Sequence, residues 1–241
     1  MEKIYYMNDY DVAHPNILFL HGYDNTKEAL APLYKSVEKF ANVLAIDLPG
    51  NKNNPLDKEY KIEDYVDYLE NTLANLKFTP YLIVGHSFGG KLATYYSLKH
   101  QTKLLLLAPS IVKPKFSMRR FIKIRIYKVL KFLYSKKIIS KIPEKYRGSV
   151  DYQNTQGLKR KTFLNIVHSY FKKTDFKKLK EDVYLLYGLD DKAIALKQMK
   201  RFKKYLPKTN LILFPGDHFM FLNYIKAISK LIYCICEEKR W

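Results

Sequence analysis

One serine in this chain carries the marks of a nucleophile. In Gly85-His86-Ser87-Phe88-Gly89 its hydroxyl sits between two glycines, and Gly90 extends the run of small residues. An apolar stretch precedes the motif and a helical pattern follows it, the strand-turn-helix context that a G-x-S-x-G nucleophile turn requires. Glycines remove the Cβ atoms that would clash in so tight a turn, and the helix N-terminus beside the serine favours negative charge. A serine hydroxyl is a weak nucleophile until a base takes its proton. Of the histidines, His218 in Phe214-Pro215-Gly216-Asp217-His218-Phe219 follows the last strand of the pattern, the position of a base. His14, His100 and His168 are not so placed. His86 is expected to point away from the serine beside it, and His21 opens a different loop. A histidine base needs a carboxylate to fix its tautomer. The stretch Val183–Tyr187 ends in Gly188-Leu189-Asp190-Asp191, so two carboxylates compete for that role. The order Ser, Asp, His, each after its own strand, is that of an acyl-transfer triad on a parallel sheet.

The elements that must hold these groups alternate. Ile4–Met7, Ile17–Leu20, Val43–Ile46, Tyr81–Val84, Leu104–Ala108, Val183–Tyr187 and Leu211–Phe214 are short apolar runs. Helical spacing marks 26–40, 62–76, 88–99, 193–206 and a final helix from Phe219 towards Glu237. Strands apolar throughout that alternate with helices predict an α/β fold, a mostly parallel sheet with helices on both faces. Such sheets carry their sites at the carboxyl ends of the strands. The alternation lapses between about 110 and 182, where helices are predicted over 118–134 and 156–171. Residues 1–112 and 181–241 therefore form the core and 113–180 a helical insertion. In the first inserted helix Ile122, Ile126, Val129, Leu130 and Leu133 share one side, with Arg120, Lys128 and Lys131 facing away.

The 241 residues suit one large domain. No apolar run is long enough to span a bilayer, and Met1–Tyr10 lacks the pattern of a signal peptide. Cys234 and Cys236 would point apart on the last helix, so both are read as apolar positions, and the chain is expected to be cytoplasmic. The net charge is +20, and residues 113–180 hold 21 Lys and Arg against 3 Asp and Glu. A solvated face is the first reading of that charge. Attraction to an anionic membrane surface, placing the protein at its periphery, is the second, and recognition of an acidic substrate the third. No nucleic-acid motif is present, so no specific nucleic-acid binding is expected.

Five motifs in order resemble the α/β-hydrolase superfamily. They are Leu18-Phe19-Leu20-His21-Gly22-Tyr23, Asp47-Leu48-Pro49-Gly50, Gly85 to Gly89, Gly188-Leu189-Asp190-Asp191 and Gly216-Asp217-His218-Phe219. The resemblance implies Ser87 as nucleophile, His218 as base and Asp191, rather than Asp190, as the orienting acid. It also implies an oxyanion hole of two backbone N–H groups, from Phe88 and Tyr23. His21, Gly22, Gly85, His86 and Gly89 would support the site loops. No metal or organic cofactor is required. Residues 113–180 would then be a cap, in which 147–152 and 157–160 resemble cap segments of bacterial hydrolases. Two departures bear on specificity: Asn51-Lys52-Asn53-Asn54 follows the D-x-P-G turn, and no proline follows Asp191. The expected activity is cleavage of a carboxylic ester through an acyl-enzyme, with a small ester or acyl compound as substrate. An aminopeptidase, a thioesterase or a carbon–carbon bond hydrolase would use the same motifs, and a non-catalytic binding or membrane-surface module is the reading from another class.

Overall fold

In the computed structural model, which describes residues 5–146 and 150–237, the apolar runs pair as expected. The strands are β1 (Tyr5–Met7), β2 (Asn16–Leu20), β3 (Asn42–Ile46), β4 (Leu82–His86), β5 (Lys103–Leu107), β6 (Val183–Gly188) and β7 (Asn210–Phe214). They form one sheet in the order β1-β3-β2-β4-β5-β6-β7, and only β1, at the edge, runs antiparallel to its neighbour. Ile4 of the first expected strand lies outside the described residues.

Strand geometry sends alternate side chains to opposite faces. Leu18, Leu20, Ile83, Leu104, Leu106 and Leu185 enter one cluster; Ile17, Phe19, Val84, Leu105, Leu107 and Leu186 enter the other. The helices divide accordingly. They are α1 (Ala31–Val37), α2 (Ile62–Asn75), α3 (Phe88–His100), α4 (Met118–Ser135), α5 (Val150–Gln153), α6 (Gly157–Val167), α7 (Lys173–Phe176), α8 (Leu196–Tyr205) and α9 (Ile225–Glu237). α2, α3 and α8 cover the first face with Tyr65, Leu69, Leu92, Met199 and Phe202, and α1 and α9 cover the second with Leu33, Tyr34, Ile228 and Ile232.

Two expected helices are broken. The pattern over 26–40 resolves into a 3₁₀ turn, Lys27–Leu30, before α1, with Pro32 near the start of the α-helix. The last helix is preceded by a separate 3₁₀ turn, Met220–Asn223. Of the two cysteines on α9, Cys236 is buried and Cys234 exposed, because residues two apart on a helix face about 200° apart.

Among the described residues, 113–180 holds no strand. Its two ends behave differently. Ile166, Phe171, Phe176 and Leu179 join the cluster of Leu92 and Phe202, so the later part packs as core. On α4, Ile126, Leu130 and Leu133 are half-buried, but Ile122 and Val129, expected on the same inward side, are exposed.

Backbone passes close to backbone at two glycines. A Cβ on Gly89 would stand 2.1 Å from Leu20 O, and one on Gly188 2.1 Å from Asp217 O. Gly89→Ala or Gly188→Ala should therefore destabilise the fold by about 3 kcal/mol or more, as overpacking against rigid backbone does. Gly157→Ala meets nothing within 4 Å and has only its positive φ of 50° against it. It should cost about 1–2 kcal/mol. Urea melts of the three variants check this ranking; equal losses would mean the two close approaches relax.

Candidate active site

β4 runs into the serine motif, with Gly85 and His86 its last residues and Phe88 the first of α3. Ser87 alone makes the turn, at φ 51° and ψ −107°. A non-glycine residue in such a conformation costs on the order of 1–3 kcal/mol and persists only where its surroundings over-determine it. Here the Ser87 N–H donates to Leu107 O (2.9 Å), and its carbonyl accepts from the N–H of Lys91 and of Ser110 (both 3.2 Å). A Cβ on Gly22 would lie 3.5 Å from Ser87 Cβ, so the loop His21-Gly22-Tyr23 lies against the serine. Phe88, as the first helical residue, has an N–H with no acceptor inside its helix.

His218 follows β7 in a turn that Gly216 makes at φ 115°. Its Nδ1 lies 2.7 Å from Asp191 Oδ2, and the Asp191 side chain is 0% exposed. The other oxygen, Oδ1, accepts from the N–H groups of Ala193 (2.7 Å) and Ile194 (2.9 Å). Asp191 is thus pinned on one side and presents one oxygen to the imidazole. The Nδ1–H donor this demands leaves Nε2 with its lone pair, able to take a proton. Asp190 is exposed and faces another way, accepting from Gly216 N–H (3.2 Å) and joining the two loops. Ser87 Oγ and His218 form no hydrogen bond among the described residues, and such bonds are often long before substrate binds.

His86 is not idle. Its ring lies 4.8 Å from that of His218, and its Nε2–H donates to the His218 carbonyl (3.0 Å). Burial, and then the neighbouring His218, push its pKa down to about 3, so it stays neutral. It props the His218 loop from beneath. Of the histidines not expected at the site, His14 precedes β2, at the opposite strand end from Ser87, and His100 ends α3 against Glu70 (2.7 Å). His168 follows α6.

His21 joins two loops. Its Nδ1–H donates to Gly22 O (2.7 Å) and its Nε2 accepts from Leu48 N–H (2.9 Å), while burial lowers its pKa and keeps it neutral. Below it, Asp47 is fully buried and accepts from Lys27 N–H (2.8 Å), Lys27 Nζ (3.2 Å) and the side-chain amides of Asn51 and Asn53 (both 3.1 Å). Burial pushes its pKa up, but the Lys27 N–H, Asn53 and the Lys27 ammonium outweigh that and hold it below the usual carboxylate value. Of the asparagines that depart from the expected turn, Asn51 and Asn53 are therefore donors to a buried charge, and Asn54 donates to the Asp47 backbone carbonyl (2.8 Å).

A profile of the alpha/beta hydrolase family matches residues 17–230. The chain belongs to this family. Among curated alpha/beta hydrolase relatives, the pimeloyl-[acyl-carrier protein] methyl ester esterase of Pseudoalteromonas atlantica is 28% identical over 104 residues, 42% of this chain and 39% of that one. The sn-1-specific diacylglycerol lipase of Mus musculus is 31% identical over 97 residues, 39% of this chain and 32% of that one. The chain thus spans under half the length of these relatives. Solved structures agree on the alpha/beta hydrolase fold across nearly the whole chain. The enol-lactonase from Burkholderia xenovorans superposes with a TM-score of 0.72 at 14% identity, covering 97% of this chain and 95% of that one. A lipase-esterase related protein from Clostridium acetobutylicum gives 0.71 at 17%, covering 97% and 99%.

α6 closes over the loop that an alpha/beta hydrolase places beside its serine. Phe163 of α6 meets the Tyr23 ring (5.1 Å), Lys159 pairs with Asp24, and the Thr162 hydroxyl accepts from Tyr60 N–H (3.0 Å). Lys91 completes the attachment, and the sequence reading missed it. It lies on α3 one turn after Ser87, is 2% exposed, and donates from Nζ to Ile166 O (2.8 Å), a carbonyl in the last turn of α6. The signal was a lysine set among small and apolar residues in Phe88-Gly89-Gly90-Lys91-Leu92-Ala93.

Burial lowers the Lys91 pKa from 10.5 to about 7. Between those values the unfolded chain binds a proton that the folded chain does not, so wild-type stability should rise with pH from about 7 towards 10. Relative to Lys91→Met, the gain should be about 3 kcal/mol across that window and flat below it. Urea melts at pH 6, 8 and 10 check it; a constant difference would mean the ammonium stays charged inside the fold.

Proposed function

We propose that the protein is a serine hydrolase that cleaves a carboxylic ester through an acyl-enzyme. The observation that carries the reading is the 2.7 Å contact between His218 Nδ1 and a buried, doubly anchored Asp191, with Ser87 on the strained turn next to His86, which supports the His218 loop. Ser87 Oγ attacks the ester carbonyl while its proton passes to His218 Nε2. The new C–O bond turns the carbonyl oxygen into an oxyanion, which the N–H groups of Phe88 and Tyr23 stabilise. Collapse expels the alcohol, which takes the proton from His218. Water then attacks the acyl-enzyme, giving His218 a proton in its turn; the acyl C–Oγ bond breaks, that proton passes to Ser87 Oγ, and a carboxylic acid is released. The Asp191 carboxylate, hydrogen-bonded to Nδ1, stabilises the imidazolium. The loops that present these groups are held by neutral His21 and His86.

Ester cleavage is preferred because curated relatives are named as an ester esterase and a lipase. Ser87→Ala should abolish both hydrolysis of p-nitrophenyl esters and labelling by a fluorophosphonate. Asp191→Asn should lower kcat by about 10⁴-fold, the usual result of losing the carboxylate that sets the tautomer. Asp190→Asn should stay within a few-fold, since it loses only one long bond to Gly216 N–H. A severe loss at Asp190 with a mild one at Asp191 would reverse the assignment. An ester series of graded chain length run beside aminoacyl amides and thioesters decides the bond type; turnover confined to the amides would replace the esterase reading with a peptidase.

A further inference from the structure

We propose that α4 is a docking surface for an anionic lipid bilayer, on which it lies with its axis in the plane of the interface. The proposal is independent of the hydrolytic reading, since it rests on residues outside the candidate triad.

The first observation is exposed apolar surface in one place. Phe121, Ile122, Val129 and Phe132 of α4 are 42–58% exposed, and Phe116 and Met118 before them 76% and 61%. At 100° per residue, Met118, Phe121, Ile122, Val129 and Phe132 fall within an arc of about 100° on the helix. The half-buried stripe of Ile126, Leu130 and Leu133 lies to one side of that arc. α4 thus has two apolar faces, and the protein covers only one. The helix also stands off from its neighbours: a cleft of about 630 Å³ opens beside it, lined by Tyr127 and Tyr134 of α4 and by Tyr152 and Arg160 of the following helices.

The second observation is charge. Residues 113–143 contain 11 Lys and Arg and no Asp or Glu. Lys123, Arg125, Lys128 and Lys131 are all exposed on α4, and the Arg125 guanidinium lies over the Phe121 ring (5.1 Å). Arg125 falls within the arc and Lys128 at its edge, with Lys131 about 80° beyond it, where long basic side chains would reach headgroups as the rings enter the acyl boundary. The helix itself does not cross: it is not apolar enough to span a membrane.

Charge complementarity selects the occupant. A second copy docked through the same face would bring two wholly basic surfaces together with no carboxylate between them. A nucleic acid would satisfy the lysines but offers no hydrocarbon to four exposed apolar side chains. An anionic bilayer satisfies both.

Co-sedimentation of the full chain with extruded vesicles tests this. Binding to phosphatidylcholine with 30% phosphatidylglycerol should exceed binding to phosphatidylcholine alone by at least about tenfold, the effect of several basic groups near an anionic surface. Raising salt to 0.5 M should weaken the binding without abolishing it, because screening removes the charge component and leaves the apolar one. Phe121→Ser with Phe132→Ser should cost at least about tenfold at high salt, given what burial of one aromatic ring is worth. Thermal melts establish that this variant is folded, and Lys128→Glu with Lys131→Glu provides a second route, losing affinity mainly at low salt. Ser87→Ala should bind as wild type does, so failure of the hydrolytic reading leaves this result untouched. Equal binding to both vesicle types, or no effect of either double variant, overturns the proposal. So does a wild-type dimer in sedimentation velocity that Phe121→Ser with Phe132→Ser dissolves, or tighter binding to an RNA duplex that ignores those changes.

Discussion

The site depends on one constraint, the near-collision of backbone with backbone where β4 turns into α3. A side chain at Gly85 would meet Gly89 O at 2.7 Å, and one at Gly89 would meet Leu20 O at 2.1 Å. With no side chains there, α3 begins directly above β2 and β4, and the chain has a single residue in which to reverse. That residue is Ser87, at a φ of 51°. The strain is held by the parallel ladder, since the Ser87 N–H completes the pairing of β4 with β5 through Leu107 O. The turn lifts the serine out of the sheet and brings it against Gly22. A relaxed turn would need a longer loop and would lose both placements.

Around this point the buried polar groups are arranged so that few charges go unpaired. Asp47 is fully buried, with Lys27 as its counter-ion and amide donors filling its other acceptor sites. Burying a carboxylate is otherwise far more costly than the hydrogen bonds repay. Asp191 has two backbone donors and one imidazole. His21 and His86 avoid the problem by staying neutral; His21 donates from Nδ1 and accepts at Nε2, while His86 donates from Nε2 and its buried Nδ1 meets no partner among the described residues. Each therefore links loops: His21 ties its own loop to Leu48 of the D-x-P-G turn, and His86 ties the serine turn to the His218 loop.

The sheet and the order of the candidate site residues were legible because both are local. Apolar runs such as Ile17–Leu20 and Leu104–Leu107 declare buried parallel strands, and a glycine-flanked serine after one of them declares a turn. The choice of Asp191 over Asp190 was not legible from the residues alone, because adjacent carboxylates differ only in where β6 aims them; the resemblance supplied it. The roles of Lys91 and of Asn51 and Asn53 were not legible, for a common reason. Their roles come from partners far along the chain, Ile166 for Lys91, or from a buried carboxylate whose burial no local pattern reveals. α4 failed differently. Its periodicity gives an apolar side but not what covers it, and Ile122 and Val129 stay 50% and 58% exposed.

That last difference divides the basic segment by physical role. α6 is attached through buried groups: Phe163 against Tyr23, Thr162 beneath Tyr60, Ile166 held by Lys91. It cannot shift without disturbing the loop beside Ser87, so it bears on what fits over the serine. α4 is held by a half-buried stripe and by Tyr127 against Tyr152, and it carries charge of one sign. The like charges repel one another and hold no carboxylate to offset them, so the helix is not stabilised by its own surface. A folded chain that keeps such a helix keeps it at some expense in stability.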